Sequence, residues 1–207
     1  MAILRNIWTE NNDEASLWQD LLNGDKQSLE LIMNEYMDSL FLYGKRFSTD
    51  TAFIEDCIQD LFIGIWQRRD YLSATVKIKP YLFSSFRRLI LRKIKLSKRI
   101  PFTSIEDGFK EFHFEYAIDN KMIKEEEAKS VANKIKKLMD ELPKRQKEII
   151  YLKFYESLDR DEISEIMQIS NQSVSNLIQK ALVNLRSNHD VLPLLLTILI
   201  YFITLHF

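Results

Sequence analysis

Apolar residues recur along this chain at steps of three and four, the spacing that lines one side of a helix. Leu29, Ile32, Met33, Tyr36, Leu40, Tyr43 and Phe47 form one such stripe, and Ile54, Cys57, Ile58, Leu61, Phe62 and Ile65 form a second. Cys57 therefore falls on a core position, which argues for packing and against a reactive thiol. After a loop at 70–76, Pro80 suits the first turn of a third helix whose apolar side carries Leu82, Phe86, Leu89 and Ile94. Between Ser97 and Ala128 the period fails around Pro101 and Asp107-Gly108, marking a linker. Val131, Ile135, Leu138, Met139 and Leu142 then make a stripe that stops before Pro143, because the residue before proline disfavours helix. A short helix carrying Ile149, Ile150 and Phe154 follows. Four glycines and four prolines in 207 residues suit long helices with short links. The pattern predicts an all-α chain of two small helical domains, 14–100 and 130–188, joined by a flexible acidic linker at 101–129 and followed by an apolar tail at 189–207.

The sharpest local signal lies at 158–186. Asp159 with Glu162 three residues on is a capping-box pattern, flanked by Leu158 and Ile163 at staple positions. A helix is expected from about residue 160 through Ile163, Ile166 and Met167, with a break near Gln168. A restart capped by Ser170 follows, since Ile169 and Val174 repeat the staple. This is helix, tight turn, helix. In the second helix Val174, Leu177, Ile178, Ala181, Leu182 and Leu185 form the apolar stripe, leaving Gln172, Ser173, Ser175, Asn176, Gln179 and Lys180 outward. Asn and Gln match the adenine edge, Ser serves bases or phosphate, and Lys180 and Arg186 can meet phosphates. An amphipathic helix with a merely solvated polar face has the same pattern. Turns of this kind often contain glycine, so Gln168 has to tolerate whatever backbone angle the turn demands.

Charge sharpens the division. The net charge is −1, yet residues 10–60 hold twelve acidic against three basic side chains and residues 68–99 hold eleven basic against Asp70 alone. Residues 104–127 are acidic again, eight against three. Segregated blocks suit parts that meet different partners, the basic one facing a polyanion. In the third helix Arg88, Arg92, Lys95 and Arg99 are spaced four, three and four, with Arg87, Lys93 and Lys98 alongside. Phosphate relieves their repulsion through counterion release, and Tyr71, Tyr81, Phe83 and Phe86 are close enough in sequence to stack on unpaired bases. Phe86 reads as core, while Tyr81 and Phe83 read equally as base contacts or core. A basic amphipathic helix also suits an anionic membrane surface.

Chemistry of other kinds finds little support. His113, His189 and His206 are scattered, and no phosphate-binding glycine loop is present. No catalytic residue, metal site or cofactor is expected. The single Cys57 cannot form an internal disulfide and no secretion signal is visible, so the expected location is a reducing cytoplasm.

These segments in this order resemble the sigma-70 family of RNA polymerase sigma factors, specifically its extracytoplasmic-function group, over roughly 20–100 and 134–187. Gly24-Asp25 leading through Phe41 to Phe47 resembles the family's first conserved helix. Ile54-Glu55-Asp56-Cys57-Ile58-Gln59-Asp60-Leu61-Phe62 with Trp66 is similar to its most recognisable motif, which in the family binds the clamp helices of the polymerase β′ subunit. The resemblance implies core-polymerase contacts at Asp56, Gln59, Asp60, Ile63 and Trp66, the alternative being that Trp66 only packs. The loop 70–76 and the helix from Lys79 to Arg99 resemble the region that opens and reads the −10 element, where a flipped base enters a protein pocket. That implies DNA contacts at Tyr71, Tyr81, Arg87, Arg88, Arg92, Lys95 and Arg99. Leu142-Pro143-Lys144-Arg145-Gln146 and the helix-turn-helix resemble the domain that reads the −35 element, with contacts implied at Gln172, Ser173, Ser175, Asn176, Gln179, Lys180 and Arg186. The implied partners are core polymerase through the β′ clamp helices and the β flap, promoter DNA and an anti-sigma factor, with the linker occupying polymerase channels. The chain departs from the family in Gln168, where a turn glycine is usual, and in a recognition helix with fewer basic residues.

Residues 191–207 hold no Asp, Glu, Lys or Arg. Seventeen residues with Pro193 near the start lie at the lower limit for a membrane span. Membrane contact, packing on the helix-turn-helix domain and contact with a membrane-bound anti-sigma partner all remain open. Two other functions compete with the sigma-factor reading: a helix-turn-helix regulator acting without polymerase, and a membrane-peripheral helical interaction protein.

Overall fold

The computed structural model describes residues 14–97, 112 and 137–186, and the side chain of each except Arg186. All regular structure among these residues is helical. The chain divides into two compact units, 1–109 and 110–207. The linker, except for Phe112, and the tail lie outside the described residues.

The first unit holds α1 (Glu14–Leu22), α2 (Lys26–Gly44), α3 (Thr51–Gln67) and α4 (Ile78–Ser97), with a 3-10 turn at Arg69–Tyr71. Each junction has a local cause. The amide of Asp25 reaches back to the carbonyl of Asp20 and that of Gly24 to Leu21, and Gly24 supplies the φ of +92° that closes α1 in this way. Asp25 then caps α2 by accepting from the Ser28 amide at 2.8 Å and the Ser28 hydroxyl at 2.6 Å, which holds the Asp25 carboxyl below its usual range. Asp50 caps α3 through the Phe53 amide. The cap of α4 comes from elsewhere in the fold: the Ile78 amide donates to Glu14 Oε1 of α1 at 3.1 Å.

Helix α2 packs on α1, α3 and α4, and its buried residues Ile32, Leu40 and Tyr43 belong to the predicted stripe. Tyr43 organises the centre, with ring centroids 5.0 Å from Phe47, 5.1 Å from Phe83 and 6.3 Å from Phe86. Beside it, a Cβ on Gly44 would come within 2.5 Å of Ile54 Cγ2 and 3.1 Å of Phe86 Cζ. The absence of a side chain is what lets α3 and α4 close on α2. The second predicted stripe is buried throughout. On α4 the buried apolar set is Ile78, Pro80, Leu82, Phe83, Phe86, Ile90, Leu91 and Ile94, with Leu89 only half-buried. Phe83 is thus core and not a base contact.

The second unit holds a helical segment at 137–141, then α5 (Lys144–Ile150), a π turn at Tyr151–Tyr155, α6 (Arg160–Met167) and α7 (Asn171–Arg186). The π turn is closed by the Glu156 amide on the Tyr151 carbonyl at 3.1 Å, and the buried Tyr151 hydroxyl donates to Glu156 Oε1 at 2.9 Å. Phe112 packs its ring 6.2 Å from Tyr151. The capping box is present in both directions, Glu162 amide to Asp159 Oδ1 and Asp159 amide to Glu162 Oε2, each 2.8 Å. Ser170 caps α7 through the Ser173 amide. Between the two helices Gln168 adopts the left-handed conformation, φ 54° and ψ 48°.

Two outcomes follow. Replacing Gln168 by Gly removes the left-handed penalty of about 1–2 kcal/mol and returns about half of it as unfolded-chain entropy, so Gln168→Gly should raise the stability of the second unit by about 0.5–1 kcal/mol in urea melts. The Cys57 thiol is fully buried, and burial pushes its pKa up to about 11 against the pull of Lys93, with Asp60 and Asp56 adding to the rise. A raised thiol pKa means that the proton bound in the folded state stabilises the fold fully below the unfolded value near 9 and is lost as pH climbs toward 11. Cys57 should therefore resist alkylation at pH 8 until denaturant is added, and the urea midpoint should fall between pH 9 and 11 in the native chain but less in Cys57→Ala.

Candidate functional site

Burying one side of α3 turns the other outward. Asp56, Gln59 and Asp60 are exposed, and Ile63 is 52% exposed on the same face. Trp66 is half-buried, with the Arg69 guanidinium over its ring at 4.6 Å and Arg69 Nη1 donating to the Trp66 carbonyl at 2.9 Å. Trp66 thus packs and stays partly open to solvent at once.

On α4 the cations separate into two groups. Arg88 and Arg92 are exposed, with Arg88 Nη2 bonded to Ser85 Oγ at 3.1 Å. Arg87 and Lys95 are 2% and 3% exposed, which corrects the expectation that they stand on the outward face. They share a row at steps of four with buried Leu91, and both are engaged within the protein. Arg99 lies outside the described residues. Lys93 bonds Asp60 of α3, so one member of the acidic face and one of the basic helix neutralise each other. Burial works to lower the Lys93 pKa, but the hydrogen bond to Asp60, aided by Cys57 and Asp56, outweighs it and leaves the ammonium above its ordinary value.

Tyr71, at the end of the 3-10 turn, is 89% exposed. Tyr81 is half-buried, its ring edge-on to Trp18 with centroids 5.3 Å apart. Between them runs the segment 72–77, and α1 grips it: Trp18 Nε1 donates to the Ser73 carbonyl at 2.9 Å and Gln19 Nε2 to the Ala74 carbonyl at 2.8 Å. The sequence reading assigned nothing to Glu14, Trp18 or Gln19. The signal available was Leu17, Trp18 and Leu21 in a nine-residue helix, too short a run for a periodic stripe to stand out.

On α7 the outward set is as expected: Gln172, Asn176, Gln179 and Lys180 are exposed, and Ser173 and Ser175 partly so. Gln172 Nε2 donates to Asn176 Oδ1 at 3.1 Å, Ser170 and Ser173 share a hydroxyl bond of 2.9 Å, and Ser175 Oγ donates to the Asn171 carbonyl. The α6–α7 angle is braced by Ser164 Oγ on the Ile169 carbonyl at 2.8 Å and Asn171 Nδ2 on Asp161 Oδ1 at 2.6 Å. Asn184 Nδ2 bonds Gln146 Oε1 and ties α7 to α5. The Arg186 side chain is outside the description. Among the described residues no helix is long and apolar enough to cross a membrane.

Comparison with known proteins adds an independent observation. The model of sigma-70 region 2 matches residues 32–100 and that of sigma-70 region 4 matches residues 132–185. No curated protein sequence matches the chain. Among solved structures, CnrH in complex with the cytosolic domain of CnrY shares 17% identity and a TM-score of 0.58, over 87% of this chain and 99% of that one. The sigma factor RpoE in complex with the anti-sigma factor NepR, from Bartonella quintana, shares 19% identity and a TM-score of 0.55, over 80% and 96%. At these identities the structures establish a shared fold, and the family rests on the two models. The region 4 model that matches is the form typical of extracytoplasmic-function sigma factors. The chain belongs to the sigma-70 family, in its extracytoplasmic-function group, a family that is not a class of enzymes.

Proposed function

We propose that the chain directs RNA polymerase to promoters, with α3 on the core enzyme, α4 and the 70–76 loop on the −10 element, and α7 on the −35 element. One observation carries this reading. A single unit presents an exposed acidic and apolar face, Asp56, Gln59 and Ile63 with Asp60 paired to Lys93, and on α4 an exposed pair of arginines, Arg88 and Arg92. A regulator that binds duplex DNA alone has no use for the first face. In the proposed division Trp66 extends the polymerase contact, and Tyr71 and Tyr81 stand where an unpaired base can stack. Arg88 and Arg92 neutralise phosphates. On α7 the prepared Gln172–Asn176 pair, with Ser173, Ser175 and Gln179, meets base edges, while Lys180 meets the backbone. Arg99 and Arg186 keep the phosphate roles implied by sequence alone, as do the clamp helices and the β flap as polymerase contacts. The domain limits proposed are 14–100 and 130–188, with 101–129 as linker.

Both structural relatives were solved with a protein bound, one of them an anti-sigma factor, which supports a restraining partner of that class for this chain. The reading places the chain in the cytoplasm with polymerase. The uncharged run 191–207 supports a membrane contact for the restrained state, which recovery of the full chain in the membrane fraction, and of a chain ending at Asp190 in the soluble one, would bear out.

The direct test is in vitro transcription from genomic fragments with purified core polymerase, with and without the chain. Discrete new transcripts are expected; a folded chain that binds DNA but neither binds core nor starts transcripts would make it a plain regulator. In the same assay format, Arg88→Gln with Arg92→Gln should weaken promoter binding by the holoenzyme and reduce the log–log salt slope by about 1–2. An unchanged slope would remove these arginines from the interface.

A further inference from the structure

The segment between the 3-10 turn and α4 bends away from helix on residues that give it little internal support. Its ends are tied locally, the Leu72 amide on the Arg69 carbonyl and the Tyr81 amide on the Lys77 carbonyl, each 3.2 Å, and at the tip the Thr75 amide donates to Ser73 Oγ at 3.3 Å while the two hydroxyls share a bond of 3.4 Å. The long-range bonds to its tip and to its junction with α4 come from α1. Trp18 Nε1 donates to the Ser73 carbonyl, Gln19 Nε2 to the Ala74 carbonyl, and Glu14 Oε1 accepts from the Ile78 amide at the point where the segment becomes α4. Ser73 and Ala74 are neighbours held by the neighbouring Trp18 and Gln19, and Ile78, four residues on, is held by Glu14, one helical turn before Trp18 on α1. The Trp18 ring also braces Tyr81, the first aromatic of α4 after that junction. Trp18 is fully buried, so its indole N–H has a fixed direction and no water to prefer.

The arrangement is directional. It draws the carbonyls of Ser73 and Ala74 toward α1 and leaves the side chains of Ser73, Ala74 and Thr75 exposed. A loop meant only to connect two helices needs no such orientation. A loop that offers its tip to an extruded base does, because discrimination between bases depends on donors and acceptors held in place before the base arrives.

We infer that Trp18 and Gln19 of α1 are positioning residues for −10 recognition, presenting the 73–75 loop tip to the flipped base without touching DNA themselves. The inference rests on the promoter reading above, in which this loop meets the −10 element. Glu14 belongs to the same brace, but its part is the start of α4, so it is kept out of the test.

The variants are Trp18→Phe, which keeps the ring against Tyr81 and loses the N–H, and Gln19→Glu, which keeps the shape and turns a donor into an acceptor facing the Ala74 carbonyl. Two measurements are made on the full chain. In amide hydrogen exchange, residues 73–78 should exchange roughly fivefold faster or more in either variant, with the core of α3 unchanged. In transcription with core polymerase from a set of promoters differing at each −10 base, the ratio between the best and the other bases should fall about fivefold or more while core-binding affinity stays at the wild-type value; the thermal midpoint stays at the wild-type value in Gln19→Glu and falls in Trp18→Phe, where the smaller ring leaves a cavity. Unaltered exchange and an unaltered ratio would overturn the inference. So would an equal loss at every promoter accompanied by a lower midpoint, which is the mark of a merely structural role. If the wild-type chain starts no transcripts, the promoter reading fails and this assignment with it, whereas exchange still decides whether α1 holds the loop.

Discussion

The near-contact of α2 with α3 and α4 at Gly44 is the constraint on which the first unit depends. A single methyl there would overlap Ile54 and crowd Phe86, and overpacking of this kind costs typically 1–3 kcal/mol. With no side chain in the way, Tyr43 can sit among Phe47, Phe83 and Phe86. That packing fixes the rotation of α3 and α4 about their own axes, and rotation decides which residues face out. The acidic face of α3 and the arginines of α4 are consequences of what is buried behind them.

The helix-turn-helix was legible because its determinants are local. Asp159, Glu162 and Ser170 do what their spacing suggests, and the flanking apolar residues Leu158, Ile163 and Val174 are buried. Gln168 was legible as the position that must accept an unusual backbone angle, and it does so. What could not be read is whatever depends on a partner far along the chain. Lys95 continues the Arg88–Arg92 row at a step of three and Arg87 adjoins it, and only the three-dimensional packing removes both from the surface. Helix α1 is too short for its pattern to speak, and its bonds to the 73–78 backbone leave no trace in either segment. The π turn at Tyr151–Tyr155 is a one-residue change of hydrogen-bond register that no apolar period announces.

Charge segregation along the sequence becomes partial cancellation in space. Asp60 lies on the acidic face and Lys93 on the basic helix, and they satisfy one another. An exposed pair of this kind contributes roughly 0.2–1 kcal/mol, too little to hold α3 and α4 together beside the apolar contact under it. Its effect is on which charges are presented: Asp56 stays available on α3, and Arg88 and Arg92 on α4.

The bonds that make the two recognition elements differ in how much chain they must enclose. Those that set the α6–α7 turn join residues at most ten positions apart, whereas those from α1 to the 73–78 backbone span 55 to 64. Closing a long loop carries an entropy cost before any contact rewards it. The turn of the second unit can therefore form from its own residues, while the 73–75 tip cannot make its bonds until α1 has docked on it. The part assigned to choosing a base thus depends on contacts far along the chain, whereas the part assigned to duplex DNA depends on near ones.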